Sequence, residues 1–149
     1  MNMNFEMKIK KLCDKAIVPT YGSAFAAGAD LYACEDGDVV IKPNETKLIH
    51  TGIAMAIPEG LVGLIYARSG LASKRGLAPA NKVGVIDSDY RGEIMVALHN
   101  HGTEPQTVAN GERIAQIVFT PYHTAEFTVA EELDSTERGE GGFGSTGRK

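Results

Sequence analysis

Apolar residues in this chain never run long: "DVVI", "KLIH", "GIAMAI", "LVGLIYA", "EIMVALH", "RIAQIVF" and "EFTVA" are each cut short by Gly, Pro, Asn or Asp. Such intervals are too short for ordinary helices, but short apolar or alternating runs between turn formers suit strands. The pattern predicts an all-β sandwich or barrel. One segment departs from it. "SGLASKRG" reads as a short helix, with Ser69 as its N-cap and Gly76 just past its end. There is no internal repeat. Beyond residue 130, "EELDSTERGEGGFGSTGRK" keeps only Leu133 and Phe143 as apolar residues. The expected organisation is therefore one β-barrel domain over residues 1–130 and a mobile C-terminal arm over residues 131–149.

The chain has 149 residues, 43% of them hydrophobic and 23% charged, enough to bury a core without staples. Its net charge of -4 provides no basic field for a nucleic acid polymer, so any anion it binds must be gripped by a local constellation. No stretch reaches the roughly 18 consecutive apolar residues of a membrane span, and "MNMNFEMKIKK" lacks the apolar core of a secretion signal. Cys13 and Cys34 form no CxxC pair and have no histidine cluster near them in sequence. Neither a zinc site nor a disulfide framework is indicated, and a reducing cytoplasm suits both thiols.

Two internal segments carry candidate chemistry. In "ARSGLA" a strand runs into the short helix, and the amides of a helix start beside Arg68 and Ser69 form a rational phosphate site. Taken alone, the same residues compose a capped helix with a solvated arginine. The surroundings are not G-x-S-x-G, so Ser69 is not expected as a hydrolytic nucleophile. The second segment, "NKVGVIDSDYRGEIM", reads as a β-hairpin with its turn in "DSDYRG". Asp and Gly need no function in a turn. Asp87, however, stands where the apolar run "VGVI" stops, with Tyr90 close by, and a carboxylate at such a border is placed to take a proton from water. Asp87 and Asp89, only two residues apart within the turn, make a poor glycosidase pair. "HNH" has metal-ligand spacing but no third ligand nearby, so His99 and His101 read as loop histidines, and His50 and His123 are isolated. The glycine-rich ending "RGEGGFGSTGRK" is no P-loop, since no lysine followed by Ser or Thr precedes a helix.

Taken in order, "AGADLYA", "ARSGLA", "GVIDSDYRGEI", "GERIAQIVF" and "RGEGGFGSTG" resemble the five motifs of the trimeric dUTP diphosphatases, across residues 28–147. The resemblance implies a jelly-roll-like distorted β-barrel and a homotrimer with three active sites shared at subunit interfaces. It also implies Mg2+ and hydrolysis of dUTP to dUMP and pyrophosphate. Such an activity keeps uracil out of DNA and supplies dUMP for dTMP synthesis.

Matched residue by residue, the family's catalytic base falls on Asp87, activating the water that attacks the α-phosphorus. Arg68, Ser69, Gly70 and Gln116 match positions that grip phosphates, and Asp30 matches the carboxylate that holds the metal's water ligands. Uracil would be read by the Asn81 side chain and by the backbone of Gly84, Val85 and Ile86, with Met95 on the returning strand. Tyr90 would stack under the deoxyribose and exclude a 2′-hydroxyl. Arg138, Gly144, Ser145 and Thr146 would close on the terminal phosphates while Phe143 covers the base, making the arm a lid. The alternatives are a dCTP deaminase or bifunctional deaminase and diphosphatase of the same superfamily, or a dUTP-responsive regulatory protein. "RSG" and the complete "GGFGSTG" resemble the diphosphatase branch.

Overall fold

In "EIMVALHN", every second side chain from Ile94 onward is buried, while Met95, Ala97 and His99 on the other face stay partly accessible. This alternation recurs along the chain and builds an antiparallel fold. The structure, a computed structural model, describes residues 4–147. Its elements are β1 (Lys8–Lys11), β2 (Thr20–Tyr21), β3 (Ala29–Tyr32), β4 (Val39–Ile41), β5 (Thr46–Ala56), β6 (Leu61–Tyr66), α1 (Ser69–Arg75), β7 (Leu77–Pro79), β8 (Gly84–Ile86), β9 (Glu93–Asn100), β10 (Gln106–Val108) and β11 (Arg113–Pro121).

A four-stranded sheet runs in the order β1-β5-β9-β7 and a five-stranded sheet in the order β2-β3-β11-β6-β8, with a separate β10-β4 ribbon. Together they form the jelly-roll-like β architecture. The core is aliphatic: Leu31, Ile41, Ile49, Ile53, Leu77, Ile94, Leu98, Ile114 and Ile117 are all at most 1% exposed. Burying one such side chain contributes about 1.5–3 kcal/mol. Two polar side chains share this interior. Asn100 donates to the carbonyls of Ile41 (2.9 Å) and Glu104 (2.8 Å) and accepts from the Gly102 amide (2.8 Å), while the Thr51 hydroxyl donates to the Ile94 carbonyl. Both are therefore satisfied, and Asn100 ties β4 to the end of β9.

Several local expectations are corrected. "KLIH" and "GIAMAI" are one strand, because Gly52 takes a left-handed φ of 67° at a bulge where the pairing of β5 with β9 shifts register. Ser69 is the first residue of α1, not its cap. Arg68 holds the cap position in extended conformation (φ -87°, ψ 132°) with no side-chain cap bond. Its guanidinium is committed to Asp30, as described below. Gly76 ends the helix as anticipated, at φ 65°. His99 lies within β9 rather than in a loop, with Nδ1 2.8 Å from the Thr46 hydroxyl. "EFTVA" forms no strand: the last one ends at Pro121, and Phe127 and Val129 are 94% and 101% exposed. An alternating pattern cannot make a strand without a neighbour to pair with.

Candidate functional site

The segment carrying Asp87 is not a simple hairpin. β8 pairs with β6 and β9 pairs with β5 and β7, so the strands flanking "DSDYRG" belong to different sheets. The hairpin is instead made by β7 and β9, continued by the Ala80 amide donating to the Ala97 carbonyl (2.8 Å), and residues 81–92 are an excursion from it. That excursion opens a slot between the two sheets. One cavity of about 170 Å³ is lined by Asn81, Gly84, Val85, Ile86, Met95 and neighbours. Another of about 230 Å³ is lined by Val85, Ile86, Asp87, Tyr90, Glu93, Met95 and Leu48.

Two glycines make the slot possible. A Cβ on Gly84 would stand 3.3 Å from the Ile65 Cβ and 3.4 Å from the Asn81 Nδ2, so the bare backbone lets β8 lie close to both. A Cβ on Gly92 would overlap the Tyr90 ring. The ring is held there by its hydroxyl, which donates to the Glu93 carbonyl (2.8 Å). Val85 and Leu48 remain 62% and 54% exposed, giving the slot an apolar wall open to a planar ligand. Asp87 follows the last residue of β8 at the mouth, where its carboxylate is exposed and also lines a larger cleft of about 800 Å³ with Ser88, Asp89 and Arg91.

A second cluster forms where β3, β11 and β6 lie side by side. Gln116 pairs across to both Asp30 and Tyr66, and its Nε2 donates to the Ala67 carbonyl (2.9 Å). A Cβ on Gly28 would overlap the Gln116 side chain, so that glycine makes room for it. Arg68 Nε donates to Asp30 Oδ1 (3.0 Å), and Arg113 Nη1 stands 3.7 Å from Asp30 Oδ2. Ser69 and Gly70 are exposed at the start of α1. This cluster presents two guanidinium groups, a carboxamide and free helix-start amides, which are the donors an anion requires.

Among the described residues, the arm lines none of these cavities and makes no side-chain hydrogen bond to the Asp30 cluster. Arg138 Nε donates to the Gly141 carbonyl (2.8 Å), the Ser145 amide donates to the Gly142 carbonyl (3.0 Å), and Phe143 is fully exposed with a positive φ of 52°. Gly144, Ser145 and Thr146 are exposed as well. The cavities around Asn81, Tyr90 and Asp87 include no residue of the arm and none of Asp30, Arg68, Ser69, Gly70 or Gln116. Within one chain the sequence candidates thus fall into three separate groups.

A dUTPase family profile matches residues 14–147. The chain belongs to the dUTPase family. It is 52% identical over 141 residues to the deoxyuridine 5'-triphosphate nucleotidohydrolase of Syntrophotalea carbinolica, covering 95% of this chain and 96% of that one. The enzyme of the same name from Desulfitobacterium hafniense is 56% identical over 131 residues, 87% of either chain. Among solved structures, the Staphylococcus bacteriophage 80alpha dUTPase with dUPNHPP superposes with a TM-score of 0.89 at 32% identity, covering 97% of this chain and 99% of that one. A mutant dUTPase from phage phi11 of S. aureus, described for the coordination of a structural Mg(II) ion, gives a TM-score of 0.79 at 27% identity, covering 87% of this chain and 99% of that one.

Against this dUTPase background, two residues that sequence reasoning passed over stand out. Arg113 lies within "GERIAQIVF", but only the antiparallel register of β11 on β3 brings it to Asp30. Glu93 lines the Asp87 cavity, and its carboxylate accepts from the Gly52 amide (3.1 Å) and pairs with His50 Nδ1 (3.0 Å), which raises the His50 pKa above its ordinary value. No periodicity announces a contact between residues so far apart. Among the described residues no group of three His, Cys, Asp or Glu side chains is arranged to hold a metal. Asp30 offers a single carboxylate, which fits an ion that keeps its waters and takes its remaining ligands from phosphate oxygens.

Proposed function

We propose that this chain hydrolyses dUTP to dUMP and pyrophosphate at a site assembled from more than one copy of itself. The observation that carries this reading is the slot formed by Asn81, Gly84, Val85, Ile86, Tyr90 and Met95 with Asp87 at its mouth. Uracil enters with its polar edge toward Asn81 and the β8 backbone. The thymine methyl has no room, and cytosine presents the wrong donors. Tyr90 lies under the deoxyribose, so a ribose hydroxyl clashes with its ring.

The exposed Asp87 carboxylate accepts a proton from a water molecule, whose oxygen attacks the α-phosphorus as the bond to the bridging oxygen of pyrophosphate breaks in line. Arg68, Ser69, Gly70 and Gln116 hold the phosphate chain. Arg138, Gly144, Ser145 and Thr146 close from the arm, and Phe143 covers the uracil face. Mg2+, when bound beside Asp30 through water, supplies charge neutralisation to the triphosphate. The separation of the slot, the Asp30 cluster and the arm within one chain supports a homotrimer with shared sites. The arm, residues 131–149, acts as a lid on the barrel domain, and a cytoplasmic location suits an enzyme of the nucleotide pool.

The test is pyrophosphate release from dUTP, dTTP, dCTP and UTP in the presence of Mg2+. A preference for dUTP on the order of a hundredfold or more in kcat/KM is expected. Ammonia release from dCTP would replace this reading with a deaminase. Tight dUTP binding without turnover would replace it with a regulatory protein.

A further inference from the structure

Cys13 and Cys34, 21 positions apart, meet beside the bulge in β5. Each is positioned by backbone. The Leu12 amide donates to the Gly52 carbonyl (2.7 Å) and the Cys34 amide donates to the His50 carbonyl (2.7 Å), so both segments hang from positions two residues apart on one strand. Their Sγ atoms lie 2.7 Å apart. A Cβ on Gly52 would stand 3.0 Å from each sulfur and 2.9 Å from the Ala16 Cβ, so a bare backbone at this position is what lets the thiols meet. A cavity of about 320 Å³ opens onto the pair, lined also by Lys15, His50 and Glu93. Cys13 is partly exposed in it, whereas Cys34 is only 8% exposed.

We propose that Cys13 and Cys34 form a reversible disulfide site that reacts with low-molecular-weight disulfides such as oxidised glutathione. The accessible Cys13 thiolate attacks one sulfur of the small disulfide, its S–S bond breaks, and one thiolate leaves and takes up a proton. Cys34 then gives up its proton and attacks the Cys13 sulfur, expelling the second small thiol. The protein loses two electrons and two protons, and the small disulfide gains them as two thiols. Burial pushes the Cys34 thiol up to about 11, so first contact with an oxidant falls to the more accessible Cys13, and Cys34 attacks only intramolecularly, where proximity offsets its small thiolate fraction. The Lys15 ammonium, held by the Asp36 carboxylate (2.8 Å) and the Glu35 carbonyl (2.7 Å), stands in the same cavity and partly offsets the effect of burial on Cys34. A disulfide needs the sulfurs to close from 2.7 Å to about 2.05 Å, and inside a cell such pairs are transient and redox-responsive.

The test treats the full-length protein with oxidised glutathione at about pH 8, followed by alkylation under denaturing conditions and mass spectrometry. The expected product is about 2 Da lighter than the reduced chain, carries no alkyl group, and yields one cross-linked peptide pair containing Cys13 and Cys34. Its Tm should rise by about 5–10 °C and return to the starting value with dithiothreitol. Cys34→Ala should trap one glutathione on Cys13. A parent protein that remains fully reduced, retains glutathione on separate cysteines, or cross-links between chains would overturn the proposal, and none of these readings depends on the variant folding.

Discussion

Asp87→Asn should lower turnover of dUTP on the order of a hundredfold or more while leaving nucleotide affinity within about tenfold of the parent. The amide keeps the shape and hydrogen-bonding reach of the carboxylate but cannot accept a proton from the attacking water. Asp87 is exposed at the mouth of the slot and supports no part of the core, so folding is unaffected. Single-turnover release of pyrophosphate, set beside the affinity for a non-hydrolysable imido analogue, separates chemistry from binding. Turnover within about threefold of the parent would show that another group activates the water.

Removal of residues 139–149 should abolish most of the activity at unchanged thermal stability. Among the described residues the hydrogen bonds of the arm are local, as from Arg138 to Gly141 and from Ser145 to Gly142, and the Phe143 side chain buries nothing in the single chain. A segment of this kind contributes little to folding and is free to order on a ligand. Loss of the Phe143 ring and of the Ser145 and Thr146 hydroxyls should reduce kcat/KM by about a hundredfold or more, because the triphosphate is no longer held in line. A fall in Tm beyond about 3 °C would mean that the arm packs on the folded body in the resting protein.

The β class, the main strands and the helix stop at Gly76 were legible because they rest on local rules: alternation, punctuation, and the tolerance of glycine for positive φ. The joining of two apolar runs across Gly52 was not. A bulge is chosen by the register of β5 against β9, and the sequence within the strand does not record it. The Asp87 hairpin was misread for a related reason. Gly84–Ile86 and Glu93–Asn100 both read as strands, but their partners, β6 for one and β5 and β7 for the other, are decided by tertiary packing. Arg113 on Asp30 and Cys13 on Cys34 likewise depend on long-range pairing that no spacing rule contains. The site was legible as five motifs in order. Their distribution over three separated regions of one chain emerges only in three dimensions.

Subunit mixing tests directly whether regions from different chains meet in one site. One parent carries Asp87→Asn with an intact arm, and the other keeps Asp87 but lacks residues 139–149. If the site is shared in a homotrimer as proposed, neither parent alone has a working site. In a cyclic trimer mixed two to one either way, one of the three interfaces brings an intact Asp87 to an intact arm. Random exchange at equal amounts makes about three quarters of the trimers mixed, so activity should recover to about a quarter of the parent's. The chains are unfolded and refolded together, and native mass spectrometry confirms mixing. Recovery near that value is the predicted result; confirmed mixed trimers that stay inactive would contradict a site shared between chains.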